Sequence, residues 1–101
     1  MLYIEDAYKK IIWDIIKKYP YTFYAFGSRV TGKHKKFSDL DIFIEEQVKN
    51  NDAFYIKDDF ENSNLPFTVD VIQKQYCKQD FIALIKKDMV ILNKETLGIK
   101  L

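Results

Sequence analysis

The spacing of apolar and polar side chains divides the chain into short helices and strands. Residues 3–19 repeat apolar side chains at helical spacing, and Pro20 ends this pattern. Two further helices are predicted over residues 52–62 and 78–87, with a short helical turn over residues 28–31. The three longer segments each carry an apolar stripe, which predicts that each packs one face against a core.

Runs of β-branched and aromatic residues predict strands between these helices. The runs cover residues 21–26, 39–44 and 67–72, and an apolar run at 89–92 indicates a short edge strand. The predicted order is therefore α-β-α-β-α-β-α with a final strand. It favours an α/β (α+β) fold in which helices pack on one face of a small, mixed, twisted sheet.

The composition fits one domain over residues 1–101 and narrows the classes of partner. The 16 basic residues nearly balance the 15 acidic ones, so we expect no direct binding of nucleic acid. No apolar run approaches the roughly 20 residues needed to span a bilayer. A single cysteine, Cys77, forms no internal disulfide, and with the lone His34 it makes no zinc site. We expect a cytoplasmic protein without a membrane partner.

A Gly-Ser pair follows the first predicted strand and opens the predicted helical turn. The first N–H groups of a helix lack intrahelical partners and carry positive potential, which suits a phosphate group. Gly27 has no side chain to keep a phosphate from the main chain, and Ser28 adds a hydroxyl donor. Such a pair is more often an ordinary turn, so this feature alone predicts little.

Two aspartates, Asp39 and Asp41, are separated by one residue in the second predicted strand. In a strand they point to the same face, roughly 6.6 Å apart along the chain. Carboxylates so placed repel each other unless a cation holds them, and Mg²⁺ selects carboxylate oxygens. The alternative for the pair in isolation is a strand end at which both carboxylates lie in water.

A third aspartate strengthens the metal hypothesis. Asp70 lies within the apolar run 69–72, which we expect to be a central strand, where an unpartnered carboxylate is costly. If this strand neighbours residues 39–44, the three carboxylates converge across the strand spacing of ~4.8 Å. They would then bridge two metal ions about 3.5–4 Å apart, the arrangement used for in-line nucleotidyl transfer. Asp70 is the best candidate to take the proton of the acceptor.

The combined pattern resembles the signature of the DNA polymerase beta-like nucleotidyltransferase superfamily. It consists of GSRVTG at residues 27–32 and SDLDI at residues 38–42. Phe26 before the Gly-Ser pair, Leu65-Pro66 and the segment 69–71 are similar to the smallest members, the minimal nucleotidyltransferases (MNT proteins). The resemblance extends from about residue 8 to residue 92, and no part of the motif is missing.

The resemblance implies a metal-dependent nucleotidyltransferase with a complete site. It implies that Gly27 and Ser28 hold the triphosphate of ATP, that Asp39 and Asp41 bind both metal ions, and that Asp70 completes the site. Two Mg²⁺ ions are expected, with Mn²⁺ as an alternative.

Other polar residues near the motif have less certain roles. Arg29 matches the arginine that follows Gly-Ser in the family, and it either contacts the nucleotide or braces the turn. Lys33, Lys35 and Lys36 either screen phosphate charge as a flap or form a solvated loop face, and we favour the solvated face. His34 is expected to be an exposed loop residue and not a catalyst.

The resemblance also implies a function. MNT proteins are typically encoded beside HEPN proteins, which are helical and often RNA-cleaving toxins, so the leading hypothesis is an antitoxin that transfers AMP to a tyrosine of a HEPN partner. One alternative is a nucleotidyltransferase acting on a small hydroxylated molecule such as an aminoglycoside. Another is a non-catalytic antitoxin that binds its partner and occludes it.

Overall fold

The chain folds into alternating helices and strands, as its pattern predicts. The computed structural model describes residues 1–100. In chain order the elements are α1 (Asp6–Ile16), β1 (Phe23–Phe26), α2 (Ser28–Thr31), β2 (Leu40–Ile44), α3 (Asp52–Glu61), β3 (Val69–Gln73), a 3₁₀ turn (Lys74–Tyr76), α4 (Gln79–Lys86) and β4 (Val90–Ile91). None of the helices in this range has the length and apolarity needed to cross a membrane.

The N-terminal helix begins later than its apolar spacing predicts. Residues 2–4 instead have no regular secondary structure and lie beside α2, where the Tyr3 N–H donates to the Arg29 carbonyl oxygen at 2.7 Å. Leu2 and Ile4 are both buried in this segment. Their apolar character therefore reflects packing beside the helix, and the helical spacing before residue 6 is coincidental. The other predicted elements are present, with ends displaced by a few residues.

The strands form one mixed sheet, as predicted, in the order β3-β2-β1-β4. β1 pairs antiparallel with both β2 and β4, and β2 pairs parallel with β3. β3 is thus an edge strand, and the prediction of a central strand around Asp70 is wrong. Its apolar run has another cause, because Val71 joins the core on one face while Ile72 packs on the other.

Alternation along β2 separates two faces of the sheet. Leu40, Ile42 and Ile44 are fully buried in the main core, together with residues of α1 and α3. Phe43 points to the opposite face and packs in a second cluster with Ile85 of α4. Helices therefore cover one face along α1 and α3, as predicted, but α4 covers part of the other face.

Candidate active site

The predicted carboxylates lie at one end of the sheet, on the face that α4 partly covers. In the strand register Phe26 of β1 is opposite Asp41 of β2, and Asp41 is opposite Asp70 of β3. Register partners on adjacent strands point to the same face and are separated by the strand spacing of ~4.8 Å. Asp41 and Asp70 are therefore neighbours, as the sequence predicts. We call Phe26, Asp41 and Asp70 the acidic row.

Asp39 lies just before β2 and is exposed, as is Asp70, whereas Asp41 is half-buried. Among residues 1–100, no three acidic, histidine or cysteine side chains come close enough together to hold a metal ion. The three predicted ligands are thus gathered at one end of the sheet without forming a preassembled cluster.

The electrostatics of Asp41 favour a positively charged ligand. Burial raises the pKa of Asp41, and the charges of Asp70 and then Asp39 raise it further. An ionised Asp41 is therefore destabilised by its surroundings and would be stabilised by a cation. Carboxylate oxygens are the ligands that Mg²⁺ prefers, with phosphate and water completing its shell. The donor set fits the predicted metal.

The Gly-Ser turn lies directly beside Asp41. Gly27 has φ of 82° and ends β1, and Ser28 opens the four-residue helix α2. A Cβ atom at position 27 would overlap Oδ2 of Asp41. Glycine is therefore required both by the left-handed backbone and by the close approach of the carboxylate. The N–H groups at the start of α2 lie next to the acidic row, where a phosphate bound by them would also meet a metal held by Asp41.

The side chain of Arg29, which the sequence assigns either to the nucleotide or to bracing the turn, is engaged by the main chain of its own fold. Its side chain is only 4% exposed. Nε donates to the Ser38 carbonyl oxygen at 2.9 Å, Nη1 to that of Tyr3 at 3.2 Å, and Nη2 to that of Lys36 at 3.2 Å. Because its donors are engaged by main-chain carbonyls, the guanidinium is a brace, the second of the two roles considered from the sequence.

Arg29 contacts the two segments that lead into Asp39 and Asp70. Its guanidinium also lies 4.1 Å from the ring centroid of Phe67, a cation–π contact. Ser38 immediately precedes Asp39, and Phe67 leads into β3 and Asp70. The planar fork of arginine suits this arrangement, since it bonds several carbonyls while its face stacks on a ring. Arg29 therefore contributes to the site through the placement of other residues.

The basic loop matches the simpler of its two interpretations. Lys33, Lys35 and Lys36 are exposed, which agrees with a solvated loop face. The expectation of an exposed His34 is only partly met, because its Nδ1 is buried and has no hydrogen-bond partner within residues 1–100. The imidazole packs against Tyr3, with ring centroids 5.6 Å apart. His34 thus packs beside Tyr3, the residue whose carbonyl oxygen accepts a hydrogen bond from Arg29.

Sequence reasoning missed an aromatic cleft beside Asp70. The cleft has a volume of about 620 Å³ and extends along β3. Its wall includes Phe37, which is 63% exposed. An aromatic residue directly before Ser38-Asp39, in an otherwise basic and polar loop, is the sequence feature that points to it. Aromatic side chains exposed beside a site are candidates for ligand contact.

Replacement of Gly27 by alanine tests the contact with Asp41. Gly98 is the control, because its φ is also positive, at 63°, but a Cβ there meets no atom of residues 1–100 within 4 Å. Both variants place alanine at a positive φ, and the Gly27 backbone, with φ of 82° and ψ of −154°, lies in a region almost restricted to glycine. Backbone strain of about 1–3 kcal/mol therefore adds to the displacement of Asp41 in Gly27→Ala. Urea unfolding should therefore show a larger decrease in the free energy of unfolding for Gly27→Ala. Titration with nucleotide should show loss of binding in that variant alone. Equal losses of stability and of nucleotide binding in the two variants would contradict a role for the close contact between position 27 and Asp41.

Arg29→Met tests the brace. Removal of the guanidinium leaves three part-buried carbonyl oxygens with fewer donors, each at a cost of about 1 kcal/mol. We expect thermal unfolding to show a stability loss of roughly 3 kcal/mol or more. Lys33→Met removes an exposed charge from the same loop and should change stability by about 0.5 kcal/mol or less. Similar melting temperatures for the two variants would show that Arg29 is not a brace.

Asp41→Asn tests the electrostatics. Because the native carboxyl holds its proton more tightly than the ordinary pKa of 3.8 allows, its ionisation destabilises the fold as pH rises through the raised pKa. The variant should therefore melt above the wild type at pH 7 without divalent cations, and the difference should shrink below pH 3.8. Millimolar Mg²⁺ with nucleotide should raise the melting temperature of the wild type only.

The control for this comparison is Asp88→Asn, at an exposed carboxylate in the turn after α4. This variant should follow the wild type at every pH and respond normally to Mg²⁺ with nucleotide. Two outcomes would contradict a metal site at the acidic row. One is a wild-type melting temperature that Mg²⁺ with nucleotide does not raise, and the other is an Asp41→Asn melting temperature that they still raise.

Comparison with known proteins agrees with this geometry. The family model for polymerase beta nucleotidyltransferases matches residues 9–96. A protein of Haemophilus influenzae described as "Probable protein adenylyltransferase MntA" is 40% identical over 77 residues, which cover 74% of this chain and 68% of that protein.

A solved structure shares the fold. The crystal structure of a toxin–antitoxin with AMP-PNP aligns with a TM-score of 0.66, covers 90% of this chain and 78% of its own, and is 16% identical. With the family match over residues 9–96, the chain belongs to the polymerase beta nucleotidyltransferase family, the superfamily that its motif predicted.

Proposed function

We propose that this chain is an MNT-type antitoxin that transfers AMP from ATP to a hydroxyl group of a partner protein. The observation that carries the proposal is the register of Asp41 with Asp70 directly beside the Gly27–Ser28 turn. This arrangement brings a metal-binding pair and a phosphate-binding turn to one end of the sheet. The similarity to a protein adenylyltransferase supports AMP as the transferred group and a protein as the acceptor.

In this proposal Gly27 and Ser28 bind the triphosphate, and the carboxylates hold two Mg²⁺ ions, or Mn²⁺. Asp41 would be the shared ligand, because it lies between the turn and Asp70. Asp39, two residues earlier, would be a further ligand. When bound, the metal ions would neutralise phosphate charge and make the acceptor oxygen more nucleophilic. Asp39 and Asp70 are both exposed, so their carboxylates are accessible to a cation.

The transfer step is an in-line displacement at the α-phosphorus. The acceptor oxygen forms a bond to that phosphorus, the bond to the bridging oxygen breaks, and pyrophosphate leaves with the electron pair. Asp70, at the acceptor side of the row, takes the proton of the hydroxyl group. A tyrosine acceptor has an ordinary pKa near 10, so this proton transfer is a necessary part of its activation.

A second protein is the expected source of the acceptor. We propose a tyrosine of a HEPN toxin, as the family resemblance implies. The fold shared with a toxin–antitoxin component supports a partner of this kind.

Two alternatives make different chemical demands. A small hydroxylated acceptor needs the same carboxylates and leaves no modified protein. Pure occlusion needs no carboxylates, and it does not explain a half-buried Asp41 whose pKa is raised by burial and by two neighbouring acids. We therefore place occlusion below catalysis.

Mass spectrometry of both proteins tests the proposal. The purified chain is mixed with ATP, Mg²⁺ and the product of the adjacent reading frame, and we expect the partner to gain one or more AMP units. Asp41→Asn should lower the rate by at least about 100-fold, because it removes the shared ligand of the metal ions. Asp88→Asn, at the exposed carboxylate after α4, should retain the wild-type rate.

The outcomes separate the alternatives. Neutralisation of the partner without a mass change, equally by wild type and Asp41→Asn, would establish occlusion. AMP found only on small hydroxylated molecules would establish the other enzyme activity.

A further inference from the structure

One edge of the sheet has unpaired backbone groups next to Asp70. The Leu40 N–H donates to the Thr68 carbonyl oxygen at 2.9 Å, which sets the phase of the parallel ladder between β2 and β3. Alternate residues of a strand bond to the same neighbour, so Thr68 and Asp70 face β2 with their backbone groups. The N–H and C=O groups of Val69 and Val71 therefore point outward, where no strand pairs with β3 in the described part of the chain.

The open stretch of this edge is short and ends near Asp70. Sγ of Cys77 lies 3.3 Å from the Gln73 carbonyl oxygen, where the chain turns into the 3₁₀ helix. This contact occupies the far end of the edge. The outward groups of Val69 and Val71 remain, and they flank Asp70 on both sides. An unpaired edge of this kind is a template for an extended backbone.

The aromatic cleft extends along the same stretch of β3. Its walls are Phe37 from the loop before β2, Lys57, Phe60 and Glu61 from α3, and residues 65–71. The exposed ring of Phe37 offers an apolar contact to a side chain lying on the edge. Lys57 and Glu61 add one charge of each sign. This lining suits a polypeptide that pairs through its backbone and places alternate side chains in the cleft.

The acceptor has few other routes to the acidic row. On the β1 side the row meets the Gly27–Ser28 turn, which the triphosphate occupies in the proposed function. The Phe26 end of the row is packed against Phe81 of α4, with ring centroids 6.0 Å apart. The β3 side is open and leads directly to Asp70, the carboxylate proposed to take the acceptor proton.

We infer that an extended segment of the partner protein pairs with the outward edge of β3 at Val69–Val71, contacts Phe37, and so presents its hydroxyl side chain to Asp70. This inference rests on the proposed function. The occupant is a polypeptide, because outward N–H and C=O groups on alternate residues match another extended backbone.

Removal of one outward donor tests the pairing. Val69→Pro deletes an N–H that faces away from β2, and proline is tolerated on edge strands at such positions. Val69→Thr keeps the N–H and the branched shape and is the matched control. Using the adjacent gene product as acceptor, we expect Val69→Pro to raise the KM for that protein about tenfold, the effect of one lost hydrogen bond. The KM for ATP should be unchanged.

A second pair of variants tests the cleft without changing the backbone. Phe37→Ala should raise the acceptor KM about tenfold. Phe54→Ala is the control, because Phe54 is 65% exposed, much as Phe37 is, but lies on α3 outside the cleft. It should leave both KM values unchanged. Thermal melting identifies any variant that fails to fold, and if Val69→Pro is one, Phe37→Ala decides the question.

Hydrogen exchange gives a readout that does not depend on turnover. In a complex of the Asp41→Asn variant with the same partner, amide exchange at Val69 and Val71 should slow at least tenfold. Transfer to the partner with unaltered acceptor KM in Phe37→Ala and Val69→Pro would overturn the docking site alone. Transfer only to small hydroxylated molecules would also overturn it. A wild type that transfers no AMP at all would overturn the proposed function, and this inference with it.

Discussion

The candidate site depends on one buried guanidinium. Among the described residues 1–100, the hydrogen bonds of the Arg29 side chain all go to main-chain carbonyls, and three of these and the Phe67 ring surround its charge. Its contacts join the N-terminal segment, the loop that ends at Asp39 and the segment that leads into Asp70. Those segments are distant in sequence and lack regular structure where Arg29 holds them. A charge that is costly to bury thus fixes the starting points of both strands that carry the carboxylates.

Side chains along β2 point alternately to the two faces of the sheet, so that one face receives apolar residues and the other receives Asp41. Its even-numbered residues fill the main core, while Asp41 and Phe43 share the opposite face. On that face α4 covers the row that contains Phe43, which lies opposite Tyr24 and Ile72 in the register. The acidic row is the next one along the strands. The alternation of side chains along β2 therefore places apolar residues in the core and leaves the carboxylates of the acidic row accessible to a substrate.

Local patterns were sufficient for the elements and for the two adjacent aspartates. Alternation in the sequence specified that Asp41 and Asp70 leave the core face. The glycine predicted room for a phosphate at position 27, and the group that the structure places against it is the Asp41 carboxylate. The pattern failed where long-range pairing decides the outcome. The Val-rich β3 looked central because both of its faces are partly covered, yet its outer edge has no paired strand within residues 1–100. The hydrogen-bond partners of Arg29 could not be predicted either, because every residue has a main-chain carbonyl and the sequence does not show which of them accept.

Paramagnetic broadening by Mn²⁺ tests the central claim most directly, because it locates the metal without requiring a partner or turnover. Backbone amide resonances of the chain would be recorded with a non-hydrolysable ATP analogue while Mn²⁺ is added. A metal at the acidic row beside the turn predicts that Gly27, Asp41 and Asp70 lose intensity first and most, while Gly98 retains the most. Uniform attenuation along the chain, or a strongest loss away from these three residues, would contradict a nucleotide–metal site built on Asp41.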